Sequence, residues 1–508
     1  MYRLFLFAAA SLAWTMPALA AWHEAKSKHF IIYSDDSPER LRAYAVKLEK
    51  FDRAVRVARS MQDYPVGDGN RLTVFVVKDE KTVRQLANDK SGFLSGFYIG
   101  RASGPLAFVP RKQEDSSKPD LIFFHEYAHH LMMQALDRPY PEWLVEGFAE
   151  FLSTAEFKRD GSVILGTAAH HRAYGLFEGQ SLPLEQLLSG NYSKLTSEQR
   201  ESIYGRGWLL THYLTFEPSR RGQLDAYLKG MASGQEPLAA ATAAFGDLKK
   251  LDRDLNAYLN RQRIGGIGIS GAAIPEPAVE IKPLSPGAAA VIVLRARSKR
   301  GVSEKTAEPL AAEVRQVQQA YPGDPLVEVT LAEAELDAGH AKASEAAADR
   351  ALAADPRSTE AMIYKGRALM ARATEGDSVD EKLVEQARNW FLKANKLDTE
   401  DPEPLMEYYN SFIAAGSRPT ANAIAALHYA SNLAPQDASL RINSGLQYLR
   451  DGDLKKARHT LAPIAYDPHG GGAAAIAREI VAKIASGDSA GLERIVYGNA
   501  KNETIGPD

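Results

Sequence analysis

The sequence predicts an α+β domain, a small mixed sheet plus helices, followed by an all-α solenoid of helical repeats. Three observations predict it. Strand-type and helix-type patterns alternate from His29 to Pro110. Two consecutive helices then carry His125, His129, Glu146 and Glu150 at ligand spacing. Beyond Ala288 the chain becomes Ala-rich and helical, with prolines recurring at Pro325, Pro356, Pro402, Pro435 and Pro468.

The first 20 residues have a basic start at Arg3, an apolar run from Leu4 to Trp14, and Ala18-Leu19-Ala20. That small-x-small ending is the pattern of a cleaved signal peptide. The apolar run is shorter than the roughly 20 residues a membrane span needs. The expectation is an exported chain, periplasmic or secreted, with no stable membrane insertion after cleavage. The absence of Cys excludes lipid attachment at the signal, disulfides and Cys-bound metal. A length of 508 residues predicts two to four domains. The boundaries read as 1–20 signal peptide, 21–263 α+β domain, 264–290 Gly/Pro-rich linker and 291–508 helical repeats. The net charge of -3, from 61 basic and 64 acidic side chains, implies neither nucleic acid nor an anionic membrane as partner.

His29 to Ser34 reads as a strand, and Ser37 to Arg59 as a helix with Leu41, Tyr44, Ala45, Leu48 and Phe51 on one side. Leu72 to Val77 is a second strand, after a Gly/Asn/Asp turn cluster and before a polar helix over Glu80 to Asn88. Gly92 to Pro110 reads as a hairpin whose second strand, Leu106 to Val109, forms the sheet edge.

His125-Glu126-Tyr127-Ala128-His129 comes next. A helix advances about 100° per residue, so residues four apart share a face. His125 and His129 can therefore grip one metal ion, while Glu126 reaches a water on it without ligating. The prolines of Asp137-Arg138-Pro139-Tyr140-Pro141 stop that helix. A second helix starts near Glu142, with Leu144, Val145, Phe148, Ala149 and Leu152 as its apolar stripe. The short connection makes the helices antiparallel neighbours. Glu146 is thereby carried back beside His129 as a third ligand.

The stretch from Leu121 to Thr154 resembles the gluzincin metallopeptidases, which bind zinc through two His of HExxH and a Glu on the following helix. The resemblance implies a zincin-like fold with His125, His129 and Glu146 as Zn2+ ligands and Glu126 as general base. It also implies that Glu150 supports a ligand His from behind, fixing its tautomer. In gluzincins an edge strand pairs with extended substrate, a role that would fall to Leu106 to Val109. The GxMEN-type strand of the aminopeptidase branch is absent, which favours an endopeptidase.

Past the second metal helix, Ser162 to Leu165 reads as a short strand, and Ala168 to Gly190 as loop with His170 and His171 as surface decoration. Glu198 to Phe216 is a helix. The gluzincin resemblance implies a Tyr or His there that donates to the oxyanion; Tyr204 is the candidate and His212 the alternative. Further helices span 224–231, 238–245 and 252–262.

The intervals between the recurring prolines are 31, 46, 33 and 33, the long one holding an insertion around Glu375 to Glu381. The segment from Pro325 onward thus resembles tetratricopeptide repeats of about 34 residues. Such stacked pairs bury apolar faces against neighbours and leave a concave surface for a peptide or protein partner. Together these features imply a zinc endopeptidase with a binding array. Two other readings share the residues: a protein-binding or assembly factor with a vestigial or structural metal site, and a zinc amidase acting on cell-wall fragments.

Overall fold

The computed structural model describes residues 22–498 except 89–93, 95, 113–118, 136–139, 180, 191, 193–194, 262–263 and 466–470. The expected signal peptide, Pro468 and the centre of the turn between the helices that carry His125 and Glu146 lie outside the described residues.

In chain order the first part consists of β1 (His23–Lys26), β2 (Phe30–Ser34), α1 (Pro38–Arg59), β3 (Leu72–Asp79), α2 (Glu80–Ala87), β4 (Phe97–Ile99), β5 (Leu106–Lys112), α3 (Pro119–Ala135), α4 (Glu142–Ser153), β6 (Glu156–Phe157) and β7 (Val163–Leu165). It continues through α5 (Ala173–Phe177), α6 (Leu184–Ser189), α7 (Ser197–Phe216), α8 (Gln223–Ala232), α9 (Pro237–Phe245), α10 (Leu248–Leu259), β8 (Ile267–Ile269) and β9 (Glu280–Pro283).

Six strands form one mixed sheet in the order β4-β5-β3-β2-β1-β9, parallel at β2–β3 and β3–β5 and antiparallel elsewhere. Side chains alternate across a strand. Leu72, Val74 and Val76 of β3 accordingly face α1 and α3, packing with Leu48, Phe51, Phe123 and Tyr127. Phe75 and Val77 face the other way, where a ladder runs across four strands. Phe97–Phe108, Phe75–Phe108 and Tyr33–Phe75 stack at centroid separations of 4.6, 5.3 and 5.6 Å.

The expected edge strand is corrected. Leu106 to Val109 lies one strand in, paired with β3 along its length and covered by β4 on the other side from Leu106 to Phe108. Leu106, Ala107, Phe108 and Val109 are all buried. A continuous apolar run of this kind marks an inner strand covered on both faces. The edge is the short β4, whose residues are half-buried.

The Gly/Pro-rich stretch 264–290 does not run free. β8 joins β6 and β7 in a three-stranded sheet, and β9 closes the large sheet against β1. Pairing of this sort uses backbone groups, so low side-chain volume does not betray it.

The second part is a tetratricopeptide-like helical region: α11 (Pro286–Arg300), α12 (Glu304–Ala320), α13 (Pro325–Asp337), α14 (Ala341–Ala354), α15 (Thr359–Ala373), α16 (Glu381–Leu397), α17 (Pro402–Ala414), α18 (Ala421–Leu433), α19 (Ala438–Arg450), α20 (Leu454–Leu461), α21 (Gly471–Ser486) and α22 (Ser489–Gly498). Each helix packs on the next, and α11, α13, α15 and α17 also touch in series, which is the contact pattern of stacked helix pairs. The proline spacing has a local cause. Pro325 and Pro402 open their helices behind the caps Asp324 and Asp401, whereas Pro356 and Pro435 sit in the turns before the caps Ser358 and Asp437.

Ile292 and Ala296 of α11 pack on the aromatic ladder, so this helix covers the second face of the sheet. Further along, the array holds the loops at the sheet's end. Asp68 N–H donates to Asp398 (2.7 Å), Asn70 to the Leu433 carbonyl (2.7 Å) and Ala102 N–H to Asp437 (2.8 Å).

Candidate metal centre

α3 lies on the sheet through Phe123, Phe124, Tyr127 and Leu131, which are all buried. Its adjoining face presents His125 and His129, and α4 packs against α3 to bring in Glu146. The three candidate ligand atoms form a compact triangle. His125 Nε2 is 3.2 Å from His129 Nε2 and 3.3 Å from Glu146 Oε2, and His129 Nε2 is 3.5 Å from Glu146 Oε2. Zinc bonds of about 2.0–2.2 Å in tetrahedral geometry give ligand-to-ligand edges of roughly 3.3–3.6 Å. The donor set therefore fits one tetrahedral zinc with a fourth position left over.

The other nitrogen of His125, Nδ1, lies 3.0 Å from Glu150 Oε1, close but without hydrogen-bond geometry. Burial alone would lower the His125 imidazole, but the carboxylates of Glu146 and Glu150 beside it push it up to about 10.

Glu150 is fully buried, and burial alone would raise its pKa. Arg172, His125 and His171 hold it well below the usual carboxylate range. Arg172 Nη2 and His171 Nε2 each approach it to 2.6 Å. These two residues, on the 3₁₀ turn His170–Arg172, have no role in the sequence reading, and the expectation that His171 is surface decoration is corrected. Only an indirect signal points to them: a carboxylate buried behind a ligand His needs cationic partners, and the next loop holds His and Arg.

Tyr204 of α7 stands with its ring 6.0 Å from that of His125. Burial raises its phenol pKa, and the charges of Glu146 and Glu126 add to the shift. Glu126 itself is half-buried. His212 does not share it. Its Nδ1 is 2.8 Å from Tyr258 Oη, and its Nε2 is 3.0 Å from the carbonyls of Gly166 and Gly265. Completely buried among Trp208, Phe216 and Phe151, it is a core histidine.

A second group, His29, Glu49 and Asp52, lies under α1. Its distances differ in kind. His29 Nδ1 is 2.7 Å from Glu49 Oε2, a hydrogen-bond length. Asp52 is taken by Arg56 (2.8 and 3.0 Å) and by Tyr127 Oη (2.8 Å). This group is a salt-bridged network that fastens the back of α3 to α1. It extends through Gln134, which accepts from Arg56 (3.1 Å) and donates to His130 (3.0 Å), to Tyr98 on β4, 2.8 Å from His130 Nδ1. Burial and the charges of Arg56 and His29 depress His130 to about 3, which keeps it neutral.

No family model matches the chain, and no curated protein matches it. Among solved structures it is similar to TTC0263, a thermophilic TPR protein of Thermus thermophilus, at 17% identity, covering 35% of this chain and 92% of that one with a TM-score of 0.30. It is also similar to MamA of Desulfovibrio magneticus, at 16% identity, 34% and 90% coverage and a TM-score of 0.26. A further MamA structure gives 17% identity, 40% and 99% coverage and a TM-score of 0.27. No helix among the described residues is long and apolar enough to cross a membrane.

Proposed function

We propose that the chain is an exported zinc-dependent endopeptidase of gluzincin type, acting on a peptide or protein, with the helical array as a surface for substrate or partner. What supports the reading is the triangle of His125, His129 and Glu146 at tetrahedral edge lengths. His125, His129 and Glu146 would hold the zinc, which would supply Lewis acidity and a more acidic attacking water. Glu126 takes a proton from the attacking water and passes it to the leaving amine as the C–N bond breaks. Tyr204, kept protonated by burial and by Glu146, donates its O–H to the carbonyl oxygen as charge develops there. Glu150, 3.0 Å from Nδ1 of His125, would back that ring while Nε2 faces His129 and Glu146.

The test is the zinc content of the purified mature protein beside a variant with His125→Ala and His129→Ala. About one zinc per chain, lost in the double variant, is expected. Glu126→Gln should keep the zinc and lose turnover; activity surviving that change would sink the mechanism. Hydrolysis of cell-wall amides in place of polypeptides would move the substrate class to a zinc amidase.

A second reading gives the array the leading role, as a protein-binding or assembly factor whose metal site is structural or vestigial. The repeated pairs α13/α14 to α19/α20 favour it, because stacked helix pairs offer binding surface whatever the metal site does. Native protein that carries no zinc and refuses added zinc would decide for it.

A further inference from the structure

We infer that Arg172, with His171 beside it, is a positioning residue for the metal centre, coupling the ligand His125 to the wall that carries Tyr204. The inference rests on the zinc reading above. Glu150 projects from α4 one turn after Glu146, and both of its oxygens are engaged. Oε1 meets His125 Nδ1 at 3.0 Å and Arg172 Nη2 at 2.6 Å, and Oε2 meets His171 Nε2 at 2.6 Å. A carboxylate buried this deeply needs cationic or hydrogen-bonding partners to hold its place, because charge in a low-dielectric site must be matched locally. Arg172 supplies a permanent positive charge to the same oxygen. Glu150 thereby keeps its place beside the Nδ1 edge of His125, whose Nε2 is turned towards His129 and Glu146.

Arg172 has a second attachment. Its other terminal nitrogen pairs with Glu201 on α7, and its guanidinium lies 4.7 Å from the centre of the Tyr204 ring. That is cation–π distance. One side chain therefore touches the carboxylate behind the ligand and the aromatic beside it. The ring of Tyr204 is in turn 6.0 Å from that of His125, so the contacts close a loop around the ligand. Arg172 and His171 are only 20% and 18% exposed in their side chains, which puts them at the rim of the site and not in free solution.

The experiment measures zinc dissociation constants on full-length protein by chelator competition, with unfolding midpoints recorded alongside, for wild type, Arg172→Ala, Arg172→Lys and His171→Asn. Arg172→Ala is expected to weaken zinc binding about 10- to 100-fold, by more than the fall in midpoint that follows from leaving the buried Glu150 short of a cation. Arg172→Lys keeps the charge but not the planar fork, and should fall between Ala and wild type. Should the Ala variant fail to fold, Lys and the His171 variant carry the same criterion. Zinc affinity equal to wild type, or a loss that merely follows a falling midpoint, overturns the inference while leaving the zinc site standing. Wild-type protein that binds no zinc overturns both.

Discussion

Gly147 and Gly207 meet backbone to backbone where α4 crosses α7. A Cβ on Gly147 would lie 2.3 Å from the Gly207 carbonyl carbon, and one on Gly207 would lie 2.5 Å from the Trp143 carbonyl oxygen. Gly147 follows Glu146, and Gly207 is three residues past Tyr204. The crossing therefore sets how far the phenol stands from the candidate ligands. Either glycine replaced by Ala forces the helices apart. Overpacking of this kind costs about 1–3 kcal/mol, only partly offset by the roughly 1 kcal/mol of helix propensity that Ala gains. Urea unfolding of Gly147→Ala and Gly207→Ala should show that loss, and neutral or stabilised variants would contradict the close crossing.

Tyr204 and His212 lie on one helix but should respond differently. Tyr204→Phe removes a donor beside the candidate ligands, and its expected signature is a loss of about 10²- to 10³-fold in kcat with zinc content retained. His212→Ala leaves the carbonyls of Gly166 and Gly265 without their donor and opens a cavity among Trp208, Phe216 and Phe151. The expected result is a lower unfolding midpoint, by the equivalent of about 2–5 kcal/mol, with kcat per folded molecule little changed. Reversed behaviour of the two variants would place the oxyanion donor at His212.

What can be read in the sequence follows from how local each cause is. His125 and His129 are one turn apart, and Glu146 with Glu150 one turn apart on the next helix, so helix geometry alone brings them into view. Capping Asp and Ser residues beside the recurring prolines make the helix pairs legible for the same reason. The rest depends on distant partners. Nothing near Arg172 announces Glu150 and Tyr204. Neither does a Gly/Pro-rich stretch reveal that β9 pairs with β1, or that α11 will cover the sheet's aromatic face. Only for β5 does the edge expectation go against an available signal: four consecutive apolar residues mark an inner strand.

His29 and Glu49 form a buried pair with a definite pH signature. For His29 burial alone would lower the pKa, but Asp52 and Glu49 raise it above 6.5. For Glu49 burial alone would raise the pKa, but the hydrogen bond from His29 lowers it below 4.5. The imidazole contribution is complete below about pH 6.5 and is lost as pH climbs through the raised folded value. The carboxylate contribution is complete above about pH 4.5 and is lost as pH falls through the lowered one. Their joint stabilisation is therefore greatest between those limits. The stability difference between wild type and His29→Gln should be larger at about pH 5.5 than at about pH 8.5. A difference that grows with pH would mean that the imidazole is not charged in the folded protein.

Asp437 tests whether the array and the sheet unfold together. One oxygen caps α19 by accepting from Leu440 N–H (2.8 Å), and the other accepts from Ala102 N–H (2.8 Å) in the loop before β5. Ala102 is itself fully buried against α17, α18 and α19. Asp437→Ala removes a helix cap, worth about 1 kcal/mol. It also leaves a buried backbone N–H unpaired, at a cost of about 1–3 kcal/mol. Because Asn70 and Asp68 anchor the same end of the sheet to the array, the loss should be felt on both sides of the contact. Hydrogen exchange should therefore speed up at Ala102 and across the β3–β5 ladder as well as in α19. Faster exchange confined to α19 would show that the array is a separate folding unit that merely rests on the sheet.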